Sequence, residues 1–212
     1  MSLKTEKLLV TIIVVAVLAF GYLYINRLNF EFAKINGNFT GLETTIDKYI
    51  PLIPLFIIPY YLYYPLLLGV LPITKSRENF YHAVTAYLLL DSAALATFVL
   101  FPSYMVRPEI IGDGILEDMI RYIYKQDEGF NLLPSLHVGH SVLVTVFYYY
   151  LKPKWFYPML IACIFISMST VFVKQHYIID IPFGILYGMA AYYVTLPVLQ
   201  WIPKSNLQQE RG

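Results

Sequence analysis

The sequence predicts an all-α integral membrane protein, a six-transmembrane-helix bundle with one short amphipathic helix in its longest outer loop. Two quantities and one pattern point to it. Of 212 residues, 58% are hydrophobic and only 14% are charged, and a soluble domain of that length has too little interior to hide so much apolar surface. The apolar residues also gather into six runs, most close to the roughly 20 residues that cross a hydrocarbon core of about 30 Å.

The first run, 8–25, follows Lys4 and Lys7 as the core of a signal peptide would, but Ile25-Asn26-Arg27 offers no small-residue cleavage site, so it reads as a retained anchor. The second, 49–73, carries Pro51, Pro54, Pro59, Pro65 and Pro72. Each proline removes a backbone donor and obstructs the preceding turn, so kinks are expected. Its tyrosines Tyr60, Tyr61, Tyr63 and Tyr64 read as packing in a tyrosine-rich chain. Run three, 80–101, holds Asp91 midway, which is costly in lipid and should face the bundle interior or a polar cavity. Next comes the loop 103–135. Within it, 115–124 is apolar at Ile115, Met119, Ile120 and Ile123 with acids between, which predicts a short helix lying on the membrane surface over whatever site lies beneath. Runs 136–151, 155–173 and 177–202 complete the bundle. With no internal repeat, the expectation is one domain, 1–203, followed by a polar cytoplasmic tail, 204–212.

Charge sets the orientation. Both termini and the links near Lys75 and Lys154 share one side and hold eight cations in short segments: Lys4, Lys7, Lys75, Arg77, Lys152, Lys154, Lys204 and Arg211. Opposite them, seven cations are spread over longer loops among nine acids between Glu31 and Glu128. Cation density marks the first side as cytoplasmic. The loop 103–135 and the link around Lys174 then face outward across the cell membrane.

Two function classes drop out. One cysteine, Cys163, supports neither a disulfide framework nor a thiolate metal site. A net charge of +1 without a basic cluster gives no footprint for nucleic acid.

The chemistry-bearing residues fall in the two outer segments: Arg107-Pro108 opening the long loop, Pro134-Ser135-Leu136-His137 closing it, and Ser169-Thr170 followed by His176 and Asp180. If 177 onward is helical, His176 and Asp180 share a helix face, where a carboxylate accepts the proton of one imidazole nitrogen and leaves the other free to attack. His137 is then available to protonate a leaving alkoxide and to deprotonate water. A phosphoryl group spreads charge over three oxygens and needs fixed donors. Arg107, Lys174, Ser135, Thr170 and the amides opening the fourth run are the expected ones. Taken singly, each cluster has a bland alternative: an interfacial histidine that packs, an aspartate that caps. Their placement on one face of the membrane favours a site.

In these residues the chain resembles the type 2 phosphatidic acid phosphatase family, whose motifs are K-x6-R-P, P-S-G-H and S-R-x5-H-x3-D. The match runs from Leu100 to Asp180. It implies a six-helix bundle, His176 as phosphorylated nucleophile, Asp180 as its orienter, His137 as general acid, and Arg107 and Ser135 on the phosphate. This chain departs at Leu100 for the lysine, Leu136 for the glycine and Thr170 for the arginine. Lys174, four residues past Thr170, reaches the missing arginine's space if that end stays helical. The variant pattern P-S-L-H and H-Y-x2-D is similar to the branch that includes inositol phosphorylceramide synthases, which pass the phospho-headgroup to an alcohol.

The expected activity is hydrolysis of a lipid phosphate ester (phosphatidate, phosphatidylglycerol phosphate or a polyprenyl phosphate or diphosphate) through a phosphohistidine, with no metal and no cofactor. A lipid phosphotransferase is the alternative. From other classes stand a small transporter built around Asp91 and the proline-broken second run, and a scaffold without activity. Expected partners are the substrate and membrane lipids, with a homodimer left open. His140 reads as packing, and His82, at the cytoplasmic end, as irrelevant to the site.

Overall fold

A computed structural model of the chain describes residues 2–36 and 40–197. Seven α-helices carry it: α1 (Leu3–Asn36), α2 (Ile57–Leu67), α3 (Arg77–Leu100), α4 (Ile115–Gln126), α5 (Leu136–Leu151), α6 (Phe156–Phe172) and α7 (Asp180–Thr195). A two-residue parallel pair, β1 (Thr40–Gly41) with β2 (Ser103–Tyr104), ties the segment after α1 to the long loop.

Helix α5 occupies the centre, packed by α2, α3, α6 and α7, while α1 leans on α3 from outside. The apolar centre of the bundle is built by Leu90, Ala94 and Phe98 of α3 with Leu143 and Phe147 of α5 and Ala191 of α7. Where α5 crosses α7 the backbones touch. A Cβ on Gly184 would lie 2.7 Å from the Ser135 carbonyl oxygen, and one on Gly188 2.4 Å from that of Gly139. Only glycine permits such an approach, and small residues at crossings are how helices associate where lipid removes the hydrophobic drive.

Among the described residues, three helices, Leu3–Ile35, Arg77–Leu100 and Pro153–Phe172, are long and apolar enough to cross a membrane, and Pro54–Leu67 is a shorter apolar helix. The most apolar stretch of α1 has none of its residues buried, as suits a helix whose surroundings are hydrocarbon. Helices α5 and α7 have 16 residues each, about 24 Å at 1.5 Å per residue and so shorter than a hydrocarbon core of about 30 Å. Among the described residues, then, three of the six expected runs meet the length criterion. The second is shortened by its prolines: Pro54 starts a 3-10 turn, and the regular helix covers only Ile57–Leu67. At the other end, α7 stops at Thr195, and the expected tail 204–212 lies outside the described residues.

Two boundaries differ from the sequence expectation. Helix α1 continues past position 25 to Asn36, because its more polar C-terminal half has partners: Asn29 donates to the Phe98 carbonyl and to Asn131 Oδ1 at 3.1 and 3.0 Å, and Tyr22 to Asp127 Oδ2 at 2.6 Å. Helix α7 begins at Asp180, not at 177.

Candidate active site

The third motif is shaped by the way α6 ends. Lys174 adopts φ 54°, the left-handed conformation that closes many helices. The amides of Gln175 and His176 then both donate to the Thr170 carbonyl, at 2.8 and 3.0 Å. This reversal leads the chain to Asp180, the first residue of α7. Its Oδ2 accepts from the Tyr177 amide at 2.9 Å and lies 3.1 Å from His176 Nδ1. The His176–Asp180 pair therefore forms across a capping turn ahead of α7. The shared helix face expected from the spacing does not exist, since residues 177–179 are not helical.

The second motif is held against it by backbone. The Ser135 amide donates to the Asp180 carbonyl at 3.3 Å. Ser135 is the N-cap of α5, its hydroxyl accepting from the Val138 amide at 3.5 Å. His137, two residues on, is set against Tyr60 and Tyr63, with ring centroids 4.7 and 4.4 Å away. Its ring centroid is 5.6 Å from that of His176, edge-on, a spacing at which a tetrahedral phosphate can touch both.

Arg107 reaches in from the long loop. Its Nη2 donates to Gln175 Oε1 at 2.8 Å and to Asp127 Oδ1 at 3.3 Å, its Nη1 donates to the Asp127 carbonyl, and the guanidinium stacks over the Tyr124 ring at 4.7 Å. Burial pushes the Tyr124 phenol up to about 12 despite the nearby guanidinium, so it stays protonated and donates to the Val173 carbonyl at 2.9 Å. Arg107 is thus fixed between α4 and the turn that carries His176.

Arg107 Nε, Gln175 Nε2 and Asp180 Oδ1 are buried without a hydrogen-bond partner. A buried unsatisfied donor costs about 1–3 kcal/mol, so two of them on hydrogen-bonded neighbours, one adjacent in sequence to His176, mark a place suited to an oxyanion. The sequence offered no motif for Gln175, whose neighbour His176 was its one signal.

Two expected phosphate contacts are differently occupied. Helix α6 stops at Phe172, so Lys174 does not extend from Thr170 along a helix. Its ammonium instead donates to the carbonyls of Ile50 and Asp47, at 2.5 and 3.4 Å, where burial lowers its pKa against the opposing pull of Asp47 and Glu43. Thr170 is fully buried and its hydroxyl donates back to the Ser167 carbonyl at 2.8 Å.

His137 and His176 stand at one end of a cavity of about 630 Å³. Val14, Val15 and Leu18 of α1 form an apolar wall, Tyr60, Tyr63 and Tyr64 of α2 a second, and Tyr122, Ile123 and Gln126 of α4 reach it from the long loop. The tyrosines expected to be packing are thus cavity walls, and their spacing of three and four residues was the available sign. The same cavity touches Asp91 and His140, which pair at 2.9 Å. His82 bonds the Tyr192 carbonyl at 3.1 Å and takes no part.

The family model of the PAP2 superfamily matches residues 80–204, more than half of the chain and inclusive of His137, His176 and Asp180. The chain belongs to that superfamily, the type 2 phosphatidic acid phosphatases, whose members are phosphatases or phosphotransferases. No curated protein and no solved structure matches it.

Proposed function

We propose that the protein is a membrane lipid phosphatase that hydrolyses a lipid phosphate ester through a phosphohistidine on His176, without a metal. The observation that carries this reading is the pairing of His176 with Asp180 at 3.1 Å while the ring of His137 stands 5.6 Å away at the head of the same cavity.

The steps follow from that geometry. His176 donates its Nδ1 proton to Asp180 Oδ2, which leaves Nε2 with a lone pair. Nε2 attacks phosphorus, the ester P–O bond breaks, and His137 protonates the departing alkoxide. In the second half, His137 takes a proton from water as the water oxygen bonds phosphorus and the P–N bond breaks, releasing phosphate. Arg107, Gln175 and the amino end of α5 with Ser135 hold the equatorial oxygens. The substrate is a lipid because apolar side chains of α1 and α2 continue the cavity away from the histidines.

In the membrane we propose all six runs as spans, with α4 lying at the outer surface over the site, the site extracytoplasmic and both termini cytoplasmic, as the cation density suggests. Transfer to an alcohol in place of water remains the second reading, favoured by the P-S-L-H and H-Y-x2-D pattern alone.

Phosphate release from a panel of lipid phosphates by detergent-purified protein, with and without inositol or glycerol, tests the proposal. Free phosphate that disappears in His176→Ala is the expected result. A phosphorylated alcohol in place of free phosphate would move the assignment to the transferase, and full activity in His176→Ala would end both.

A further inference from the structure

One turn along α5 from His137 lies a polar cluster that the phosphoryl chemistry does not use. His140 Nε2 is 2.9 Å from Asp91 Oδ2 on α3, and its Nδ1 is 2.8 Å from the Tyr63 hydroxyl on α2. The Tyr87 ring stacks on the imidazole at 5.3 Å. Both imidazole nitrogens are therefore engaged, and His140 itself has nothing left to offer a ligand. Asp91 does. Its Oδ1 has no hydrogen-bond partner among the described residues, and Asp91 lines the same cavity as His137 and His176.

We propose that Asp91, oriented by His140 and Tyr63, is a second subsite that accepts a hydrogen bond from a hydroxyl or amide N–H on the backbone of the lipid phosphate. This rests on the phosphatase reading and adds a substrate class to it: lipid phosphates with a donor a few bonds from the ester, in preference to those with none, such as polyprenyl phosphates.

Three considerations carry the assignment. A carboxylate oxygen without a proton only accepts, so its complement is a donor. A polar side chain at this depth is expensive unless its oxygens are hydrogen-bonded, and the one imidazole contact engages only Oδ2. The placement fits as well. His140, which holds Asp91, lies three residues along α5 from His137, a rise of about 4.5 Å, so the subsite and the phosphoryl site share neighbouring turns of one helix and one cavity. An attacking alcohol would need its oxygen at phosphorus beside His137, so a donor held a turn away belongs to the substrate and not to an acceptor. Beyond the cluster the walls return to Val15, Leu18 and Leu71, apolar surface fit for the chain that follows the backbone.

The test compares an acylglycerol phosphate with the matching acyl propanediol phosphate, which lacks only the secondary hydroxyl. The wild-type protein should favour the hydroxylated lipid in kcat/KM by at least about tenfold, and Asp91→Asn should shrink that ratio severalfold. Equal kcat/KM for the two lipids in wild type, or an unchanged ratio in Asp91→Asn, overturns the proposal. If Asp91→Asn does not fold, Tyr63→Phe, which frees the imidazole to turn, is read by the same ratio. Binding of both lipids to His176→Ala protein separates this from the catalytic reading. Preferential binding of the hydroxylated lipid without any wild-type phosphate release would remove the phosphatase and keep the subsite, whereas equal binding would remove the subsite.

Discussion

Gln175 Oε1 accepts a hydrogen bond from Arg107 Nη2 at 2.8 Å, and each of the two side chains keeps one buried nitrogen donor without a partner. The pair joins the long loop to the turn of His176, so one contact both positions a guanidinium and leaves donors for an anion.

Loss of either member should therefore be felt in substrate binding. Arg107→Lys keeps the charge but not the planar fork, and Gln175→Leu keeps the volume but not the amide. Each is expected to raise KM for a lipid phosphate by about ten- to a hundredfold, on the scale of one hydrogen bond to a charged group. Steady-state kinetics on detergent-purified protein would show it, and unchanged KM in both would remove the pair from the phosphate site.

Asp180→Asn should lower kcat by a factor on the order of 10³–10⁴, the penalty seen when an orienting carboxylate is replaced by an amide and the wrong tautomer is held. Substrate binding should change little. A loss of less than tenfold would mean that Asp180 is a capping residue only, satisfied by the Tyr177 amide.

Lys174→Ala should leave kinetics near normal and cost stability instead, because its ammonium is committed to the carbonyls of Ile50 and Asp47. About 1–3 kcal/mol is the expected loss, visible as a lower midpoint in thermal unfolding in detergent. A collapse of activity at unchanged stability would return Lys174 to the site.

Gly188→Ala should be more harmful than its size suggests. The added carbon would sit 2.4 Å from the Gly139 carbonyl oxygen, a backbone atom that cannot move aside, so α5 and α7 must separate at about 1–3 kcal/mol of overpacking. Because the same helices carry His137 and Asp180, kcat should fall along with the unfolding midpoint; wild-type values of both would contradict the close crossing.

Activity is expected to survive an excess of EDTA, since the proposed steps use only imidazoles, a carboxylate and fixed donors. Complete loss restored by Mg²⁺ would require another mechanism.

Much of this was legible in the sequence for physical reasons. A surplus of apolar residues has only one solvent, and histidines beside the long loop and the Lys174 link have few uses. What was not legible depended on backbone detail. The i to i+4 spacing of His176 and Asp180 suggested a helix face, yet the pair forms through a turn, because Asp180 caps the amide of Tyr177 and α7 starts only there. Lys174 looked like a replacement cation because spacing was read as if α6 continued. Its left-handed φ redirects the chain, and the carbonyls of Asp47 and Ile50, far away in sequence, claim the ammonium. Gln175 was silent because an amide carries no motif until a guanidinium is seen beside it.

The glycine crossing has a consequence for how such a protein tolerates change. With Gly184 set against the Ser135 carbonyl and Gly188 against that of Gly139, the gap between the two imidazoles is gauged by main chain meeting main chain and not by the bulk of any side chain. The tyrosine and aliphatic walls of the cavity are therefore free to be recut for a ligand of different shape while the two imidazoles keep their calibration.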